Sequence, residues 1–162
     1  MKSMTYSTPV LGLLASLALW ISFSAQADTL IGRVIGITDG DTIKVLVNNE
    51  QVIVRLVEID APEKKQAFGN RSKQSLSDLC FDKNAQIQEK GKDRYGRTLG
   101  RVICDGTDSN AEQVKRGMAW VYDKYVTDRS LYQLQDEAKR DGRGLWVDTD
   151  PMPPWEWRHR RN

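Results

Sequence analysis

The segment from Leu30 to Val47 confines the fold more tightly than any other part of the chain. Leu30–Ile37 and Thr42–Val47 are β-prone runs, the second alternating Ile43, Val45 and Val47, and Asp39-Gly40 falls between them. Period-two alternation around an Asp-Gly step specifies an antiparallel hairpin. The turn reads Thr38-Asp39-Gly40-Asp41-Thr42, and one strand pair later comes Arg55-Leu56-Val57-Glu58-Ile59-Asp60-Ala61-Pro62-Glu63. Solvated surfaces scatter their charge, whereas these acids sit on turns at strand ends, where side chains converge. Convergent carboxylates suit a cation site for phosphate chemistry.

Beyond the hairpin, Asn48-Asn49-Glu50 is a second turn and Gln51–Glu58 a third strand, ended by Glu58, which completes a meander. Ala67–Phe81 reads as a helix with Phe68, Ser72, Leu76 and Leu79 along one side. A strand pair over 84–90 and 97–104 follows, turning at Asp93–Gly96. Ser109-Asn110-Ala111-Glu112 has the form of a capping box opening a second helix that Gly117 closes. Ser130–Arg140 is the third helix, with Leu131, Leu134 and Ala138 at helical spacing and Gly142 as its stop. So short a sheet needs its edges covered. The expected class is α+β, mainly β: a five-stranded barrel of the oligonucleotide/oligosaccharide-binding (OB) type with three packed helices.

The 162 residues, 40% hydrophobic and 28% charged, suit one globular domain. Residues 1–27 are set apart from it as a secretory signal: Lys2, then the apolar stretch Val10–Phe23, then Ala25-Gln26-Ala27 before a cleavage point at Asp28. That stretch of 14 residues is short of the about 20 needed to span a bilayer. An uncleaved anchor is the alternative; the expectation is a secreted or periplasmic protein with no lasting membrane anchor. The folded domain is assigned to 28–147 and a Pro/Trp/Arg-rich tail to 148–162.

Removing residues 1–27 takes Lys2 from the 24 basic residues and none of the 22 acidic ones, leaving 23 against 22. Near-neutral bulk charge means that a phosphate partner must be held by a local cluster. Cys80 and Cys104, the two cysteines, can form a disulfide or stay as free buried thiols. In the tail, the tryptophans of Pro153-Pro154-Trp155-Glu156-Trp157 either pack over the domain or touch a ligand.

Asp41 and Asp60 are 19 residues apart, at the start of the second strand and just after the third, so hairpin pairing can bring both to one mouth of the sheet. Two carboxylates, a backbone carbonyl and water make a shell for a hard divalent cation, calcium or magnesium. Zinc does not fit: no cysteine pair is placed as ligands and the single His159 lies in the tail. Glu63, after the rigid Ala61-Pro62 step, is placed to accept a proton from a water or to orient it. Arg55 and Arg97 are planar donors suited to phosphate oxygens. Together these are a sufficient set for phosphodiester hydrolysis.

In these motifs the chain resembles the staphylococcal nuclease (thermonuclease) family: Asp39-Gly40-Asp41-Thr42, Arg55 to Glu63, Asp93-Arg94-Tyr95-Gly96-Arg97 and Asn110–Ala119 occur in the family's order. The resemblance covers nearly all of residues 30–147. It implies a calcium-dependent endonuclease on an OB-type barrel that cleaves DNA and RNA to leave 3′-phosphate ends; a monomer is expected, and aromatic faces that stack on splayed bases would fit a preference for single strands. It further implies that Asp41, Asp60 and the Ala61 carbonyl hold the metal. Arg55, Glu63 and Arg97 would be catalytic, Glu63 as general base, and Arg94, Tyr95 and Tyr125 would contact substrate. Ala61 stands where the best-known member has threonine, and the aromatic pattern at Trp120 and Tyr122 beside Tyr125 is rearranged. A catalytically silent OB-type nucleic-acid-binding module is the competing class; it would be expected to lack Glu63 or an arginine, and this chain keeps all three.

Overall fold

The computed structural model describes residues Thr29 to Arg160. The signal segment assigned to residues 1–27 lies outside the described residues. The meander forms as β1 (Thr29–Asp39), β2 (Thr42–Val47) and β3 (Glu50–Leu56). A two-residue strand β4 (Ile59–Asp60), helix α1 (Gly69–Cys80), β5 (Asn84–Lys92), β6 (Thr98–Cys104) and β7 (Thr107–Asp108) follow. Then come α2 (Ser109–Lys115), β8 (Trp120–Val121), α3 (Ser130–Arg140), a 3-10 turn at Gly144–Val147 and α4 (Pro154–His159). Among the described residues no helix is long and apolar enough to cross a membrane.

The strands run in the order β3-β2-β1-β5-β6, and β3 also pairs with β6, so the ribbon closes into a five-stranded barrel. Every contact in it is antiparallel except the closing one, where Val54, Arg55 and Leu56 lie parallel to Thr98, Leu99 and Gly100. Inward positions are filled by aliphatic side chains with no exposure, among them Val34, Ile43, Val45, Val54, Ile87 and Val102. Leu76 and Leu79 of α1 and Val114 of α2 extend this core. The expected mainly-β barrel with packed helices is what the chain forms. Cys80, at the end of α1, is joined to Cys104, at the end of β6, with Cα atoms 5.3 Å apart. The antiparallel register sets Cys104 beside Ala85, so the bridge ties α1 to the β5–β6 hairpin.

Four local expectations need correction. The hairpin loop is Gly40-Asp41, because Asp39 pairs with Thr42, and Gly40 is not in the left-handed region. Glycine is required there by proximity: a Cβ at residue 40 would lie 2.7 Å from Ser72 Cβ of α1 and 2.8 Å from Ala61 Cβ. Helix α1 starts at Gly69, two residues later than its periodicity suggests, since Phe68 has φ 65° and cannot continue a right-handed helix. The cap of α2 is Asp108, whose side chain accepts from Ala111 N, and the expected cap Ser109 is buried against Cys80 instead. Among the described residues there are four α-helices rather than three, the fourth coming from the tail.

One buried polar side chain fixes the loop that carries Asp41. Gln113 of α2 has no exposure, and its Nε2 donates to Gly40 O at 2.7 Å and Ser72 O at 3.1 Å. Ser72 Oγ in turn donates to Met118 O at 2.6 Å. Hairpin, α1 and α2 therefore meet at a point with no room for a methyl group. Gly40→Ala should lose about 1–3 kcal/mol of stability through overpacking, read as a lower urea midpoint at unchanged slope; an unchanged midpoint would refute the close approach.

Candidate active site

Asp41 and Asp60 reach the same mouth of the barrel by different routes. Asp41 is the second residue of the hairpin loop, while Asp60 is held on β4 opposite Trp120 of β8. Both residues are buried. Asp41 Oδ2 accepts from Ala61 N at 2.6 Å, and its Oδ1 accepts from Thr42 Oγ1 at 3.1 Å. Asp39 Oδ1 accepts from Asp41 N at 3.1 Å, which makes Asp39 the residue that shapes the turn.

Arg55 lies between the two acids. Its Nη2 is 3.0 Å from Asp60 Oδ1 and 3.3 Å from Asp41 Oδ2, while Nη1 donates to Leu56 O and Ile59 O at 2.7 and 3.0 Å. A buried guanidinium needs such partners, because an uncompensated charge out of water costs several kcal/mol. Burial nevertheless dominates Asp41 and pushes its pKa up to about 7; Arg55 pulls it down and Asp39 adds to the rise. Asp60 is also raised, by burial first, against hydrogen bonds from Arg158 that lower it and the neighbouring Asp41 charge that raises it further. Burial thus disfavours the charged form of both acids, and a cation placed beside them would favour it.

Glu63 stands in the loop before α1, its side chain about 40% exposed. The group that joins it to the acidic pair was not anticipated from sequence: Arg158 of α4. Arg158 Nη2 lies 2.7 Å from Asp60 Oδ2, and Nη1 lies 3.2 Å from Asp60 Oδ1 and 2.8 Å from Glu63 Oε1. Three carboxyl groups, Asp41, Asp60 and Glu63, thus face two arginines, Arg55 and Arg158. Among the described residues no group of three or more His, Cys, Asp or Glu could hold a metal unaided. The donors that are present, the two buried carboxyl groups, are hard oxygens and fit a divalent ion that takes water for the rest of its shell.

The other expected residues are placed nearby but are engaged differently. Arg97 directly precedes Thr98, which the parallel register sets beside Val54, one residue before Arg55. Its Nε, however, donates to Asp93 Oδ2 at 2.7 Å within the β5–β6 turn, so its side chain pairs there and not with the acidic pair. Tyr95 is 69% exposed, with the guanidinium carbons of Arg94 and Arg97 at 4.8 and 5.7 Å from its ring centroid. Tyr125 is 57% exposed and meets Tyr122 edge-on at 5.0 Å. Glu58 does more than end a strand: it accepts from Thr127 N at 2.7 Å and Asp128 N at 2.9 Å and pairs with Arg101, anchoring the loop before α3.

The tail packs onto this site. Trp155 stacks on Tyr122 with ring centroids 5.5 Å apart and 4° between planes, and meets Trp120 edge-on at 5.7 Å. Of the two roles open to the tail's tryptophans, Trp155 takes packing over the domain, and one of the tail's arginines, Arg158, enters the site.

Several known proteins are similar to this chain. Residues 53–148 match the family model described as staphylococcal nuclease homologue. An uncharacterized endonuclease of Escherichia coli O157:H7 is 49% identical over 131 residues, covering 80% of this chain and 86% of its own length. A micrococcal nuclease of Shigella flexneri is 46% identical over 155 residues, 89% of this chain and 88% of its own. Protein ParB of Escherichia coli is 41% identical over the whole of this chain and 97% of its own length. A family model spanning more than half of the chain, and relatives near half identity over most of their own lengths, place this protein in the staphylococcal nuclease family.

Proposed function

We propose that the protein is a metal-dependent endonuclease that hydrolyses phosphodiester bonds within DNA and RNA. The observation that carries this reading is the convergence of buried Asp41 and Asp60 on Arg55 at one barrel mouth, with Glu63 joined to Asp60 there. Asp41, Asp60 and the Ala61 carbonyl would hold the ion, and its hard oxygen donors favour calcium over zinc. When bound, calcium supplies Lewis-acid stabilisation of charge on a phosphoryl oxygen.

The chain's own groups do the rest. Glu63 takes the proton from the attacking water. Arg55 and Arg97 donate to the non-bridging oxygens as charge builds on phosphorus, for which Arg97 exchanges its bond to Asp93 for one to phosphate. Tyr95 and Tyr125, with Arg94 beside Tyr95, offer exposed faces on which splayed bases can stack, which favours single strands and tolerates any sequence. We assign cleavage to the 5′ side of the phosphate, leaving 3′-phosphate ends, action as a monomer, and residence in the periplasm or outside the cell by way of the segment 1–27.

Digestion of single- and double-stranded DNA by the purified mature protein should require calcium and stop in chelator; undiminished cutting in chelator would sink the metal role. Glu63→Gln should lower kcat by about 10²–10⁴-fold, the range of general-base catalysis, and near wild-type turnover would remove Glu63 from the mechanism.

The buried acid gives the metal-free protein a pH signature. Because folding raises the Asp41 pKa from 3.8 to about 7, the folded state holds more protons than the unfolded state between those values. Stability from this group is complete below about pH 4 and is lost as pH rises through 7. In chelator, Asp41→Asn should therefore raise Tm at pH 8 relative to wild type and leave it little changed at pH 4. A lower Tm at pH 8 would contradict the raised pKa.

A further inference from the structure

Helix α4 lies beyond the residues matched by the family model, 53–148, yet it reaches the centre of the site. Its position is determined by several independent contacts. Pro154 is buried, Trp155 stacks on Tyr122 and meets Trp120, and Gln66 Nε2 donates to Met152 O at 2.6 Å. The same Gln66 accepts from Glu63 N through Oε1 at 3.1 Å. One amide thus ties the backbone of Glu63 to the tail, and the Arg158 fork ties its carboxylate to Asp60.

Left to itself, Glu63 would have reason to swing away. It is a half-exposed side chain on a loop, facing the like charge of Asp60, and like charges at short range repel. Arg158 replaces that repulsion with two charge-assisted contacts of 2.7 and 2.8 Å, to Asp60 Oδ2 and Glu63 Oε1. A planar guanidinium holds its two ends in a fixed relation, which a flexible point charge cannot do. Among the described residues it is the one side chain paired with both acids.

We propose that Arg158 is a positioning residue for the hydrolytic reaction, setting the Glu63 carboxylate at a fixed place relative to Asp60, and that the tail is therefore part of the catalytic domain. The inference rests on reading Glu63 as the residue that takes the proton from water.

The test uses the mature full-length protein and three variants: Arg158→Gln, Glu63→Gln and the double variant. Exposed Arg160→Gln, one charge lost from the same tail, is the control. Kinetics on single-stranded DNA at saturating calcium are paired with calorimetric calcium titration in the absence of nucleic acid. Arg158→Gln should lower kcat about 10- to 100-fold, the usual effect of losing a group that orients a ligand, with a much smaller change in KM. Calcium should bind Arg158→Gln as tightly as wild type or more tightly, since a positive charge beside Asp60 is gone. In the Glu63→Gln background the same change should add little. Unchanged or faster turnover in Arg158→Gln would overturn the proposal, the faster case marking the tail as an obstruction. Calcium affinity falling in step with kcat, or full additivity in the double variant, would overturn it in favour of general support of the fold. Wild-type protein inactive with calcium would instead refute the nuclease reading itself.

Discussion

Parallel pairing of three residues, Val54–Leu56 against Thr98–Gly100, turns an open ribbon into a closed barrel. An open sheet of this length would present two edges of unpaired backbone, and closure removes them. It also sets the functional geometry. Arg55 is the middle residue of the closing contact, and Arg97 stands immediately before it, so two phosphate-suited guanidiniums come from neighbouring strands although 42 residues separate them in the chain. The join depends on Gly100, where a Cβ would lie 2.4 Å from Ile87 Cγ2. Chain closure, core packing and site placement are thus one constraint.

The buried charges are tolerable because each is distributed over several partners. Arg55 meets two carboxylates and two carbonyls, and Asp41 has a backbone amide, a hydroxyl and the guanidinium. Even so, burial lifts the pKa of both acids. The same distribution of charge holds for Arg101, which binds Glu58, Asp108 and Asp128 and so locks the loop before α3.

Elements with strong local signals were legible in the sequence. Thr42–Val47 alternates and forms β2 with the expected bounds, and Ser130–Arg140 forms α3 between the expected residues. Asp41, Asp60 and Arg55 could be paired because hairpin geometry converts sequence spacing into proximity. Misjudged details share a cause: they were decided by neighbours distant in sequence. Ser109 was drawn inward beside Cys80 and left the cap to Asp108. Gly40 owes its identity to Ser72 and Ala61 rather than to turn dihedrals. Gln113, which looks like an ordinary helix residue, holds the Asp41 loop across 73 residues.

Residue types, turn signals and period-two patterning, all of them local, determined by themselves that this chain makes a small barrel with acids on its turns and arginines on its strands. Tertiary structure alone decided which groups touch: that Arg97 is held by Asp93, that Arg55 is enclosed by the acidic pair, and that a tail ending in a basic cluster delivers Arg158 to Asp60 and Glu63. The physical reason is separation along the chain. A contact across 95 residues carries no periodic trace, because it depends on Trp155 stacking on Tyr122, an aromatic face distant from it in the chain.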